Sequence, residues 1–234
     1  MSASTRLAEL AAQWTISAAG VAALENLLIA LARDDAPTTL RQLHRAVNAH
    51  VADALTGLGV EELATARRVA DIGAGAGIPG LVLAAARAQM EVTEVESAGR
   101  KCAFMAELIA QMGLTNAQVA CTRVEAWEQG HGACDAVTVR AVAPLPVIVE
   151  YGAPLLADGG VLVAWKGAPD AAEVADGDHA AQVLGLTAAR RVSVPPFPGA
   201  DQRTLYVYLK VGSLPNGYPR RPGIARKRPL RAST

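Results

Sequence analysis

An acid and four glycines stand together in Asp71-Ile72-Gly73-Ala74-Gly75-Ala76-Gly77-Ile78-Pro79-Gly80, directly after the short apolar run Val69-Ala70 and ahead of a helix-like segment. Glycines at alternate positions let a backbone turn with positive φ and bring N–H groups against a ligand with no Cβ in the way, the chemistry of a nucleotide-type cofactor loop. A second acid, Glu96, closes the next alternating apolar run. It falls about 20 residues beyond the glycines, where a βαβ unit sets a carboxylate on ribose hydroxyls. A dinucleotide fingerprint needs glycine three residues after Gly75, and Ile78 stands there. The acid-x-Gly-x-Gly-x-Gly spacing suits S-adenosylmethionine instead, because that ligand has no pyrophosphate to cradle and its ammonium calls for an acid, here Asp71. NAD is the less favoured alternative, and a glycine turn that merely packs helix on strand leaves two placed acids without a use.

The elements that must position this loop follow from periodicity. From Arg68 onward, strand-like runs at 69–73, 91–96, 118–122, 136–140 and 161–166 alternate with helix-like runs at 79–89, 99–112, 145–156 and 171–184. Such alternation predicts a mainly parallel sheet with helices on both faces. Runs at 188–194 and 204–211 have no helix between them and are joined by the turn-rich Pro195-Pro196-Phe197-Pro198-Gly199, so they read as an antiparallel pair. A parallel sheet that ends in an antiparallel hairpin is the Rossmann-like, class I methyltransferase architecture: an α/β fold of seven strands, the last antiparallel. Residues 1–60 read as a helical cap, in which Leu40, Leu43, Val47, Val51, Ala54, Leu55 and Leu58 keep i, i+3, i+4 spacing behind Thr38 or Thr39 as N-cap. The methyltransferase domain then spans 61–211, and 212–234 is a basic Pro/Arg-rich tail.

Ligands in such sheets bind beyond the carboxyl ends of the strands. Those places hold residues 71–77, 96–101, Arg123-Val124-Glu125, 140–144 and Lys166-Gly167. Arg123 is as readily a salt-bridge partner of a nearby acid as a functional group. Arg140 and Lys166 each end an apolar strand, where a buried charge requires a partner, and read as functional.

The chain has 234 residues, 51% of them hydrophobic, which supplies a buried core and excludes disorder over most of its length. Aromatics are only 4%, so core volume comes from Leu, Val and Ile packed around alanine. Three cysteines, Cys102, Cys121 and Cys134, read as too few and too scattered for a disulfide framework or a zinc site, and no metal is expected. The N-terminus lacks the plan of a signal peptide and no run has the length of a membrane span, so the expected setting is the reducing cytoplasm with no membrane partner. Net charge is zero, yet eight of the 22 bases follow Asp201 and no acid does. That asymmetry points to a polyanion met by the tail, since Lys and Arg gain affinity for phosphates through counterion release.

Two common acceptor chemistries are missing. The fourth strand leads into Arg140-Ala141-Val142-Ala143-Pro144, not the Asn/Asp-Pro-Pro-aromatic turn of amino-nitrogen methylation, and no cysteine follows a proline as carbon-5 methylation of pyrimidines needs. Cys102, beside Phe104 and Met105, reads as core. An acceptor that is already nucleophilic needs no such equipment. Guanine N7 carries no proton at neutral pH, so alignment with the sulfonium methyl suffices, and cations at Arg140 and Lys166 would position phosphate or guanine O6 without acting as bases. A small-molecule acceptor, or an RNA-binding protein that holds the cofactor without turnover, stays open at this point.

With these residues assembled, the chain resembles the ribosomal RNA small subunit methyltransferase G family, also called glucose-inhibited division protein B, from about residue 50 to 230. The carrying segments are the glycine loop with its Gly77-Ile78-Pro79-Gly80 extension, Glu96-Ser97 with Arg100-Lys101 and Phe104, Arg123-Val124-Glu125, Asp135 through Ala143, Lys166-Gly167, and Tyr218-Pro219-Arg220 through Pro229-Leu230. The resemblance implies S-adenosylmethionine-dependent methylation of guanine N7 in a decoding-region loop of 16S rRNA, with the small ribosomal subunit as partner and no obligate protein partner. It places cofactor contacts on Gly73, Ile78, Val124, Glu125 and Arg140, to which the reading of the loop and strand ends adds Asp71, Gly75, Gly77 and Glu96. It sets Arg140 between cofactor and substrate and matches Lys166 and Arg220 to further family positions; Arg140 and Lys166 are taken as the catalytic pair, and charge assigns Arg123, Arg220, Arg221 and Lys227 to the RNA. Family members show Arg-His-x-x-Asp-Ser in the cap; here His50 and Asp53 survive on one helix face while alanine stands at 49 and 54.

Overall fold

The structure, a computed structural model, describes residues 2–198, 200 and 202–232. Serine caps open the first two helices: Ser2 accepts from Thr5 N ahead of α1 (Ala3–Trp14), and Ser17 from Gly20 N ahead of α2 (Ala18–Leu31). Both hydroxyls satisfy N–H groups that the first turn leaves unpaired. The next helical run begins with α3 (Leu43–Ala46), passes through a π turn at Val47–Ala52, and continues as α4 (Asp53–Leu55). Neither Thr38 nor Thr39 caps it. Gln42 stands at that position without a side-chain bond, while the Thr38 hydroxyl is taken up locally by Leu40 N and His50 Nε2. Of the expected apolar stripe, Val47, Val51, Ala54, Leu55 and Leu58 are buried and Leu43 is exposed. A short α5 (Glu61–Ala64) leads into the sheet.

Seven strands form one sheet: β1 (Arg68–Ile72), β2 (Glu91–Glu96), β3 (Ala117–Cys121), β4 (Cys134–Arg140), β5 (Leu156–Lys166), β6 (Arg190–Val194) and β7 (Arg203–Leu209). Their order is β3-β2-β1-β4-β5-β7-β6, with β7 antiparallel to both neighbours and every other pairing parallel. The chain reverses its direction of growth between β1 and β4, the crevice where such sheets hold ligands. β5 starts at Leu156, ahead of the expected 161. The Asp158-Gly159-Gly160 turn signal lies inside the strand, where it shifts the register against β4 between Cys134 and Ala136.

One face of the sheet packs under α2, the cap, α6 (Gly80–Ala86) and α7 (Gly99–Met112), in a single apolar cluster that runs from Leu7 to Val207. The cap therefore shares its core with the sheet. Trp165 seals the junction: it sits against Gly57, where a Cβ would strike its ring, and donates Nε1–H to Asp53 O at 2.9 Å. The other face packs under α8 (Leu145–Gly152) and α9 (Ala171–Val183).

The C-terminal segment is not a solvated tail. Leu214, Tyr218 and Leu230 pack on the second cluster, and Ala225 of α10 (Ile224–Lys227) is 2% exposed. Its backbone is pinned by Gly223 N on Glu125 and by Ala232 N on Asp176. It forms a strap across the carboxyl ends of the strands. The cysteine expectation also changes: Cys102 on α7 and Cys121 at the end of β3 form a disulfide with Cα atoms 5.7 Å apart. Parallel pairing of β3 beside β2 brings together residues that look scattered in sequence. Cys134 is free and buried. Among the described residues no helix is long and apolar enough to cross a membrane.

Candidate cofactor and substrate site

A cavity of about 380 Å³ opens at the carboxyl ends of β1 to β4, within the size range of small-molecule sites. Gly73 forms its floor at φ +67°, where a Cβ would run into Val142 Cγ2. Only glycine fits both that backbone and that approach. Ile72, Val95, Val124, Val142 and Tyr151 give apolar wall. Glu96 supplies the carboxylate: its Oε1 accepts from Ser97 N at 2.7 Å and Ala98 N at 2.9 Å, and its Oε2 from Gly75 N at 3.2 Å. Burial pushes this carboxyl up, but those N–H donors and the Lys101 ammonium outweigh it and hold the pKa below the usual value, so Glu96 is ionised. Ala141, directly after Arg140, lines the cavity at φ +57°, a conformation that alanine rarely adopts.

Of the residues assigned to the cofactor from sequence, Gly73, Glu96, Val124 and Glu125 line the cavity, and Gly75 reaches it through the N–H on Glu96. Asp71 does not. Its carboxylate lies beneath the loop, 1% exposed, where it accepts from Gly80 N at 2.9 Å and from Thr138 Oγ1 at 3.0 Å. Burial raises its pKa to about 6. Beside it Glu94 is wholly buried and its pKa is pushed well above the ordinary range, first by burial and then by the Asp71 charge. Gly80 packs against both, and a Cβ there would strike the Glu94 carboxyl and the Asp71 Cβ. Asp71 thus shapes the loop from below and does not line the cavity. Gly77 and Ile78 likewise turn the chain into α6 without lining the cavity, Ile78 being buried in the core.

Arg140 turns away from the cavity toward the cap. Its Nη1 donates to Asp53 Oδ2 at 2.9 Å and to Ala49 O at 2.8 Å, and its Nη2 meets His50 Nδ1 at 3.4 Å. His50 is pushed down to about 4 by burial and by the Arg140 charge, so it is the neutral acceptor in this group. Asp53 also accepts from Arg203 Nε at 2.6 Å, which removes Arg203 from the basic tail. Lys166 is paired with Glu173 at 2.6 Å, and Glu173 also receives Leu145 N. Arg140 and Lys166 are therefore both engaged by carboxylates and neither stands free in the cavity.

The cations given to RNA divide. Arg123 is exposed on the cavity wall, and Arg221 and Lys227 are exposed on the strap. Arg220 instead forms a two-pronged pair with the buried Glu150, donates to Arg228 O, and lies over the Tyr218 ring. It clamps the strap and is not exposed for RNA. Sequence reasoning missed Arg226, which lines the cavity and donates to Val142 O at 3.1 Å, and Tyr151. Arg226 carried a signal, as one of a run of bases, but its position over the cavity is set by the strap's fold.

A switch-point cavity with a glycine floor and an ionised acid on its wall, on this seven-stranded sheet, defines a Rossmann-like methyltransferase. The fold is shared with the structure described as the S-adenosylmethionine-dependent methyltransferase SibL, at TM-score 0.60 and 15% identity over 74% of this chain and 60% of that one. It is shared also with a sarcosine dimethylglycine methyltransferase structure from Galdieria sulphuraria, at TM-score 0.55 and 13% identity over 74% and 89%. Residues 22–203 match the family model described as rRNA small subunit methyltransferase G. A protein of Rubrobacter xylanophilus with that name is 42% identical over 188 residues, 78% of this chain and 72% of its own length. One of Deinococcus radiodurans is 38% identical over 199 residues, 82% and 78%. The chain belongs to the rRNA small subunit methyltransferase G family.

Proposed function

We propose that this chain transfers the methyl group of S-adenosylmethionine to N7 of a guanine in the decoding-region loop of 16S rRNA, acting on small-subunit particles in the cytoplasm. The observation that carries the reading is the family match over residues 22–203, which includes the whole cavity apart from Tyr151's neighbour on the strap, Arg226. The residues fit the donor. Glu96 is an ionised acceptor for ribose hydroxyls, the apolar walls receive a base, and Gly73 leaves room that a Cβ would fill. When bound, S-adenosylmethionine supplies an electrophilic methyl on a sulfonium.

The protein's own part is alignment. Guanine N7 presents a lone pair without a proton, so no general base is required, which accords with Lys166 and Arg140 being held in ion pairs. Arg140, held by Asp53 at the end of β4, ties the cavity wall at Ala141 and Val142 to the cap and so positions the acceptor's approach through that wall. Lys166 steadies the turn from Ala143 to Leu145 through Ala143 O and Glu173. Arg123, Arg221 and Lys227 hold phosphates at the rim.

The test is methyl transfer from labelled donor to small subunits that lack their native N7 methylation, with large subunits and small molecules as controls. Label recovered as 7-methylguanosine from 16S rRNA is the expected result. Donor binding with no label in RNA would overturn the acceptor assignment.

A further inference from the structure

Two walls of the cavity are tied by sulfur. Cys121 ends β3 and is exposed; the next four residues, 122–125, form the cavity wall that carries Arg123 and Glu125. Cys102 sits in the first turns of α7, 6% exposed, and its Sγ lies 3.3 Å from Glu96 O, at the end of the neighbouring strand β2 where Glu96 is the register partner of Cys121. The disulfide between them therefore joins the wall that holds the ribose acid to the one that carries 122–125. Cys134 is buried at the start of β4, outside the cavity, and takes no part.

An exposed thiol beside a buried partner at bonding distance is the arrangement of an entry thiol and a resolving thiol. In reducing compartments such bonds are transient and redox-sensing more often than structural. We propose that Cys102 and Cys121 form a reversible thiol–disulfide site whose state sets how firmly residues 122–125 are held against the Glu96 wall of the cofactor cavity. The oxidant is a low-molecular-weight disulfide. Cys121 thiolate attacks it, forming a mixed disulfide and expelling one thiolate; Cys102 thiolate then attacks Cys121 Sγ, closing the protein bond and expelling the second. The two protein thiols lose two electrons and two protons, and the reagent is reduced to two thiols. An external dithiol reverses both steps.

Oxidation restricts the wall in the ligand-free protein, so the disulfide form is the preorganised one and binds the donor more tightly. That last consequence rests on the donor reading; the thiol chemistry and the wall's mobility do not. The full chain is reduced with dithiothreitol, then oxidised with glutathione disulfide, and each state is alkylated, mapped by mass, and followed by amide hydrogen exchange without donor. Expected are alkylation of Cys102 and Cys121 in the reduced state alone, exchange at residues 122–125 several-fold slower after oxidation, and donor affinity several-fold higher. Cys121→Ser, which changes only an exposed side chain, removes the oxidant's effect on exchange. Alkylation of either thiol after oxidation, equal exchange in the two states, or an oxidant effect that survives Cys121→Ser overturns the proposal. A difference in exchange with no donor binding in either state leaves it standing and strikes the donor reading instead.

Discussion

Asp53 accepts Arg140 Nη1 on its Oδ2 at 2.9 Å, so a residue of the helical cap, wholly buried, holds the cation that ends the central strand β4. The same carboxylate takes Arg203 from β7, and its backbone oxygen takes the Trp165 indole. Three strand ends thus meet at one acid. The cap is the part that fixes the direction of Arg140.

Removing that acid leaves two guanidiniums short of their counter-charge where side-chain exposures are only 17% and 24%. Asp53→Ala is expected to cost about 3–5 kcal/mol in urea unfolding, the usual loss on breaking a buried pair. Asp53→Asn keeps the volume and is the milder variant. Because Asp53 does not line the cavity, its methyl-transfer rate should fall well beyond any change in donor Kd, as calorimetry and single-turnover kinetics on the same sample would read. Equal losses in both would mean that Arg140 serves the cofactor and not the acceptor.

Glu96 is an ionised acid on the cavity wall whose orientation three backbone N–H donors already fix. Glu96→Gln is expected to weaken donor binding by about 10- to 100-fold, the worth of a charge-assisted hydrogen bond of about 1.5–3 kcal/mol. Its lowered pKa sets the pH dependence. The carboxylate stays ionised down through pH 4.5, its ordinary value, and loses its contribution only as pH falls through the lower folded-state value. Donor affinity should therefore be flat from neutral pH to about 5 as far as this group decides it. A calorimetric titration series that shows loss near pH 6 would point to another acid.

Much of this site is legible in the chain because strand ends are. The boundaries of β2 and α7 fall where the alternation and the 3.6-residue period put them, and Gly73, Glu96, Val124 and Glu125 follow from their places after successive strands. What spacing does not carry is direction. Asp71 precedes the glycines as a ligand-facing acid would, yet strand alternation points it under the loop at Gly80 N. The π turn at Val47–Ala52 adds a residue to the helical period, which no apolar pattern reveals, and it places His50 and Asp53 on Arg140. Arg220 and the Cys102–Cys121 pair are tertiary facts: their partners lie on segments that only the folded sheet and strap bring near.

Two buried groups titrate with opposite effect. Glu94 keeps its proton in the folded state well above 4.5, so its favourable contribution is complete below that pH and is lost as pH rises toward its folded value. His50, depressed from 6.5 to about 4, favours the fold above 6.5 and loses that contribution as pH falls toward 4. Glu94→Gln, neutral at every pH, should gain Tm over the parent increasingly as pH rises from 4.5. His50→Gln should gain over the parent increasingly as pH falls from 6.5. Parallel Tm curves for either variant and the parent would show that the group does not titrate on unfolding.

The strap's cations separate by what they touch. Arg220 neutralises Glu150, which is 2% exposed, so Arg220→Ala strands a buried carboxylate and should cost about 3 kcal/mol or more in unfolding free energy. Loss of RNA binding in that variant would follow from a loosened strap, because Gly223 and Arg226, which contact the cavity wall, lie just beyond the clamp. Arg221→Ala and Lys227→Ala alter exposed side chains and should leave stability within about 0.5 kcal/mol. Each should weaken RNA binding uniformly across sequences and lower the slope of log K against log salt by about 1, the signature of one phosphate contact. Filter-binding at several salt concentrations, read beside urea curves for the same three variants, distinguishes the roles: an unchanged salt slope for Arg221→Ala and Lys227→Ala would remove the strap from the RNA interface and leave Arg123 on the cavity wall as the assigned contact.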